Sequence, residues 1–163
     1  MKRVFITGMS GTGKSTVITR LAALGHRAVD TDGDEYFELV EPDASMRARF
    51  GGEKDWRWRE DRIAALLDAD DVPALFLSGT SSNQSKFYPR FDHVVLLSAP
   101  EPVILERLRT RTTNRYAKDP QELARELRLR AIVGPMLRRG ADVEIDTSAP
   151  LEEVVARIAG LVS

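Results

Sequence analysis

Near the start of the chain, Gly8-Met9-Ser10-Gly11-Thr12-Gly13-Lys14-Ser15 combines glycines, a lysine and a hydroxyl at a spacing suited to holding phosphate. The pattern of Gly, four residues, Gly, Lys and then Ser or Thr is met by Gly8, Gly13, Lys14 and Ser15. Glycines without a Cβ let the chain turn through positive φ and bring backbone N–H groups close to phosphate oxygens. A helix opening near Gly13 adds free N–H groups and a positive dipole end, so the predicted nucleotide-binding stretch runs from Gly8 through Thr16. Lys14 is placed to reach the β- and γ-phosphates, and Ser15 to take a position on Mg²⁺. A glycine-rich turn can also be a mere tight connection. Here an apolar strand precedes it and a helical pattern follows, which is the context that phosphate binding requires.

Four further groups bear chemistry. Asp30, Asp32 and Asp34 follow a short apolar run; at the carboxyl end of a parallel strand they face the ligand crevice. Asp30 then joins Ser15 as a metal-side acid, since Mg²⁺ takes one or two carboxylates with phosphates and waters. A second acid, Asp32, can accept the proton of an attacking hydroxyl. The competing reading is a turn with a helix cap. Asp30 and Gly33 also fit Asp-x-x-Gly, but the chain lacks the Asn-Lys-x-Asp segment that reads guanine, so a GTPase is disfavoured.

Arg57 and Arg59 stand beside Trp56 and Trp58. A planar guanidinium suits a carboxylate or phosphate on a substrate, whereas Arg59 reads as part of a solvated helix face. The polar loop at 78–84 offers backbone N–H groups at Gly79 and the side chains of Thr80, Asn83 and Gln84. No acid ends the strand before it, which strengthens the assignment of Asp30 to the metal. Finally Arg107, Arg109, Arg111, Arg115 and Lys118 lie within a dozen residues. A loop rich in arginine can close over a γ-phosphate and exclude water; Arg107 and Arg109 read as a solvated helix end.

The elements that must position these groups alternate. Strands are predicted over 4–7, 27–29, 74–77, 94–97 and 143–145. Helices are predicted over 15–24, 36–40, 55–68, after Pro102, over 121–133 with a kink or restart at Gly134-Pro135, and after Asp146-Thr147-Ser148. The apolar stripes are Val17, Leu21 and Leu24 in the first helix and Trp56, Ile63, Ala64 and Leu67 in the third. Strand and helix in alternation give an α/β fold with a parallel sheet covered on both faces.

The 163 residues suit one domain, and a 42% hydrophobic content supplies a core. With 24 Lys+Arg against 25 Asp+Glu the net charge is −1, which gives no reason to expect a nucleic-acid or membrane-surface partner. There is no cysteine, which excludes disulfides and thiolate chemistry. The apolar runs are too short for a signal segment or a membrane span, so a cytoplasmic protein with a small-molecule partner is expected.

Gly8 to Thr16, Asp30-Thr31-Asp32, Gly52-Glu53 with Trp56-Arg57 and Glu60, and the stretch from Glu106 to Arg115 together resemble the shikimate kinase-like group of P-loop small-molecule kinases, with gluconate and adenylate kinases more distant. The resemblance implies a doubly wound five-stranded sheet ordered 2-3-1-4-5 and a lid at about 111–120. It implies ATP and Mg²⁺ as cofactors and transfer of the γ-phosphoryl group to a hydroxyl-bearing acceptor. On it, Asp30 is similar to the metal-side acid, Asp32 to the acid touching the acceptor hydroxyl, and Arg57 to the substrate arginine. Arg115 is similar to the lid arginine, while Arg111 and Asp146-Thr147-Ser148 are placed to flank adenine. Asp34, Gly79 and Thr80 complete the acceptor side.

Two departures set the chain apart. Gly79-Thr80-Ser81 stands where shikimate kinases carry three glycines, and Val133 stands where a second substrate arginine is expected, with Arg130 a turn earlier. Both argue against shikimate itself. A nucleotide-sensing regulatory module and a nucleoside or nucleotide kinase are the alternatives.

Overall fold

In the computed structural model, which describes residues 1–50, 54–112 and 117–163, five strands form one parallel sheet. They are β1 (Lys2–Thr7), β2 (Arg27–Asp30), β5 (Ala74–Ser78), β6 (His93–Ser98) and β7 (Val143–Asp146), in the order β2-β5-β1-β6-β7. Counted within the sheet this is 2-3-1-4-5. Parallel β1 sits at the centre, with Phe5 level with Leu77 on one side and Val94 on the other. Its side chains alternate between the two faces. Val4 and Ile6 join one core with Val17, Leu21, Val155 and Ile158, under α1 (Lys14–Ala23) and α6 (Leu151–Gly160). Phe5 faces the other way, into Trp58, Ile63, Leu67, Phe87 and Phe91, covered by α3 (Glu60–Asp68) and the 3-10 turn Gln84–Arg90. A smaller cluster of Ile104, Leu108 and Ala117 sits under α4 (Glu101–Thr110) and touches Leu123 of α5 (Pro120–Gly140).

The stretch between β2 and β5 departs from expectation. Instead of helices over 36–40 and 55–58, it forms an antiparallel ribbon of β3 (Phe37–Val40) and β4 (Asp55–Trp58), flanking the short α2 (Ala44–Phe50). Phe37 pairs with Trp58, Glu38 with Arg57 and Leu39 with Trp56. Both segments are rich in aromatic and branched side chains, which suit a pleated surface better than a helix. The apparent helical stripe joins Trp56, on the ribbon, to Ile63, Ala64 and Leu67, which belong to α3. Leu24 is likewise exposed: α1 ends at Ala23, and the chain leaves the apolar face before reaching it. At the other end of the chain, α5 runs through Gly134-Pro135 without a restart. Leu137 is buried beyond the proline and Glu126 before it.

Candidate functional site

The phosphate loop joins β1 to α1. Gly13 takes φ +97°, a left-handed conformation that glycine adopts without penalty, and the loop closes through the Thr12 N–H and hydroxyl, which donate to the Met9 carbonyl at 3.3 and 2.7 Å. Lys14 folds back over the loop, its Nζ donating to the Gly8 carbonyl at 2.5 Å and the Met9 carbonyl at 3.2 Å. Burial of the ammonium lowers its pKa; Asp32, Glu126 and Asp30 act against that shift. A cavity of about 540 Å³ runs along the loop. Ser10, Gly11, Gly13 to Thr16, Asp32, Arg111, Thr147 and Ser148 line it together, although they come from opposite ends of the chain. Asp146 stands behind Ser148, accepting its N–H at 2.8 Å and its hydroxyl at 2.6 Å, so it orients that loop rather than lining the cavity.

The acids enter from β2. The Ser15 hydroxyl donates to Asp30 Oδ2 at 3.3 Å, and the Asp32 N–H donates to Asp30 Oδ1 at 2.9 Å. Between the two acids Thr31 turns inward, donating to the Ser78 carbonyl at 2.7 Å and accepting the Trp58 indole N–H at 3.0 Å. Thr80 is the junction: its backbone N–H donates to the Asp32 carboxylate, and its hydroxyl donates to the Gly8 carbonyl at 2.5 Å. The cleft walls desolvate Asp32 and raise its pKa, Asp30 adding to the shift while Lys14 and the Thr80 N–H oppose it. Gly79 is fixed by space, since a Cβ there would lie 2.3 Å from Thr31 Oγ1.

A second cavity, of about 510 Å³, opens between the ribbon, the 80–85 loop and α5. Met9 and Thr80 line it, so it adjoins the phosphate loop.

Other predicted residues fall elsewhere. Arg57 lines neither cavity; strand alternation turns it away, and its Nε meets Glu38 at 3.4 Å across the ribbon. Trp56, on the opposite face, lines the second cavity. Asp34 is exposed in the turn after Asp32 and lines neither cavity. Asn83 is structural: its amide donates to the Trp58 carbonyl at 3.0 Å and its Oδ1 accepts the Trp58 N–H at 3.0 Å. Arg130 belongs to a separate cavity beside Leu96 and Pro135. Arg115, Gly52 and Glu53 lie outside the described residues.

Two residues of the site carry no role that the sequence predicts. Arg107, expected as a solvated helix end, clamps the cleft: it donates to the Gly11 carbonyl at 3.2 Å, the Thr147 hydroxyl at 2.9 Å and the Thr147 carbonyl at 2.6 Å. Its position one turn before Arg111 is the signal that could have found it. Glu126 of α5, 3% exposed, accepts the Ser10 N–H at 3.2 Å. Nothing in its local sequence marks it.

Comparison with known proteins bears on the family and the fold. The AAA domain family matches residues 4–130. A curated shikimate kinase of Halorhodospira halophila is 30% identical over 169 residues, covering 95% of this chain and 89% of that protein. A nucleotide-binding protein of Thermosipho africanus is 27% identical over 146 residues, or 89% of this chain, and the chain spans about half (48%) of its length. The solved shikimate kinase of Acinetobacter baumannii in complex with shikimate has the same fold, with a TM-score of 0.65, 21% identity and coverage of 99% and 93% of the two chains. The chain belongs to the AAA domain family of P-loop proteins and, within it, to the small-molecule kinases, a class of phosphotransferases. Among the described residues, no helix is long and apolar enough to cross a membrane.

Proposed function

We propose that this chain transfers the γ-phosphoryl group of ATP to a hydroxyl of a small-molecule acceptor, with Mg²⁺. The observation that carries the reading is Thr80, which lines the second cavity and ties Asp32, which lines the first, to the phosphate loop. The acceptor oxygen attacks the γ-phosphorus, the bond from that phosphorus to the bridging oxygen breaks, ADP leaves, and the hydroxyl proton passes to the Asp32 carboxylate. Raising the Asp32 pKa makes it a better proton acceptor near neutral pH. Lys14 leaves the Gly8 and Met9 carbonyls to neutralise charge on the phosphates, and the loop N–H groups hold them. Arg111, Thr147 and Ser148 form the adenine side, and the stretch at about 111–120, with Arg115, acts as the lid.

Ser15 and Asp30 fit Mg²⁺. Their hard oxygens already meet at the open mouth of the cleft, and phosphate oxygens and waters would fill the remaining positions. Bound there, the ion would neutralise phosphate charge. Among the described residues there is no cluster of three or more histidines and carboxylates to hold a metal without the nucleotide. ATP is preferred to GTP because the chain lacks a guanine-reading segment.

The test is ADP production with and without acceptors. A kinase shows negligible turnover alone and strong stimulation by one acceptor class. Tight ATP binding that no acceptor converts into turnover would make the chain a nucleotide sensor instead.

A further inference from the structure

The second cavity bears on the chemistry of the acceptor, provided that the chain is the kinase proposed. Its volume, about 510 Å³, suits a small molecule. One wall comes from α5, where Arg125, Leu129, Val133 and Met136 recur at helical spacing along a single face. The opposite wall is Trp56 on the ribbon, with Met46 of α2 beside it. Trp56 is 54% exposed while Trp58, two residues on and on the same face of β4, is fully buried. An indole left open against a cavity is an aromatic platform, and methionines adapt to the edge of a flat ring.

Charge is sparse in this cavity. Lys54 faces Glu41 at 3.8 Å, and Asp55 accepts the Ser82 hydroxyl at 2.6 Å. Among the described residues Arg125 has no ion pair or hydrogen bond, so its guanidinium is available to an anion. Thr80 marks the end nearest Asp32 and the phosphate loop, where the reacting hydroxyl must lie. A polyol acid would leave the ring face of Trp56 and the Leu129 and Val133 side chains without a matching apolar surface.

We propose that the second cavity takes a small acid built on a flat aromatic ring, the ring lying on Trp56, the anionic group at Arg125 and a hydroxyl directed to Thr80 and Asp32. Adenosine 5′-monophosphate and phenyllactate have these three parts and serve as probes, against D-gluconate and shikimate, which lack the aromatic ring. Binding is read by calorimetry in the intact protein and its variants, with quenching of tryptophan fluorescence in the natural chain, and turnover by ADP production. The aromatic acids should quench the Trp56 signal, and Trp56→Ala should raise their KM or dissociation constant about tenfold, with Trp56→Phe restoring most of it. Arg125→Ala should weaken adenosine 5′-monophosphate about tenfold and leave uncharged adenosine unchanged. The inference is overturned if gluconate or shikimate binds more tightly than both aromatic acids, if neither aromatic acid binds, or if Trp56→Ala changes nothing. Binding of the aromatic acids with no ATP consumed would uphold the cavity assignment and overturn the kinase reading, so the two failures are distinct.

Discussion

The Ser10 N–H donates to Glu126 Oε1 at 3.2 Å, so a buried carboxylate from α5 already holds one of the backbone donors of the phosphate loop. That charge also counters the desolvation of Lys14. A polyphosphate entering the loop meets a like charge as well as its lysine. Glu126→Gln keeps an oxygen for the Ser10 N–H and removes the repulsion. We expect ATP to bind about three- to tenfold more tightly to this variant, read by calorimetry or fluorescent-nucleotide displacement; weaker binding would show that Glu126 serves the nucleotide instead.

Lys14→Ala removes the charge that meets the phosphates, together with its hydrogen bonds to the Gly8 and Met9 carbonyls and its attraction to Asp32, Glu126 and Asp30. Acceptor-stimulated ADP production should fall at least about 100-fold, the scale of losing a group that stabilises transition-state charge. The melting temperature should hold or rise, because a partly desolvated ammonium is no longer carried by the fold. Loss of folding would refute this account.

Asp32 gives a pH signature. Its folded pKa is raised above the unfolded value, so the native state keeps the proton to higher pH than the unfolded chain. The stability linked to that proton is present below the unfolded pKa and lost as pH rises through the folded one. Asp32→Asn should therefore unfold at a higher temperature than the natural chain at neutral pH, with the difference shrinking in acid. The same substitution should cut turnover by about 100-fold or more while sparing ATP binding, and should remove the acid limb of the kcat/KM profile. A profile unchanged in shape would exclude Asp32 as the proton acceptor.

Arg107→Ala breaks the bonds that join the loop at Gly11 to the Thr147 segment. Hydrogen bonds from a charged donor of this kind contribute about 1.5–3 kcal/mol. The expected result is a lower melting temperature and a raised KM for ATP, with the acceptor KM little changed. Equal effects on both substrates would argue for general loosening of the fold.

Gly79→Ala places a methyl group 2.3 Å from Thr31 Oγ1, which also holds the Ser78 carbonyl and the Trp58 indole. Overpacking of this kind costs about 1–3 kcal/mol. Because Thr31 lies between Asp30 and Asp32, turnover should fall along with stability, and denaturant unfolding beside a turnover assay measures both. Full activity in a destabilised variant would separate this packing from the acids.

The chain's own sequence determined the phosphate loop, the five strands of the sheet and the acids after β2. Each rests on a local signal: glycine spacing, a short apolar run, or a carboxylate at a strand end. The ribbon was illegible because Trp56, Ile63 and Leu67 mimic a helical stripe, and only the pairing of Phe37 with Trp58 settles which period governs 55–58. That pairing also turns Arg57 away from the cavity that Trp56 lines, since adjacent residues of a strand face opposite ways. Arg107 and Glu126 reach the loop across 96 and 116 residues of sequence. For Glu126 no local pattern encodes such a contact, and for Arg107 the spacing to Arg111 only points at it, because what places both is the packing of α4 and α5. The phosphate loop is thus written in a contiguous motif, whereas the second cavity is assembled from a ribbon, a loop and a distant helix that meet only in the folded protein.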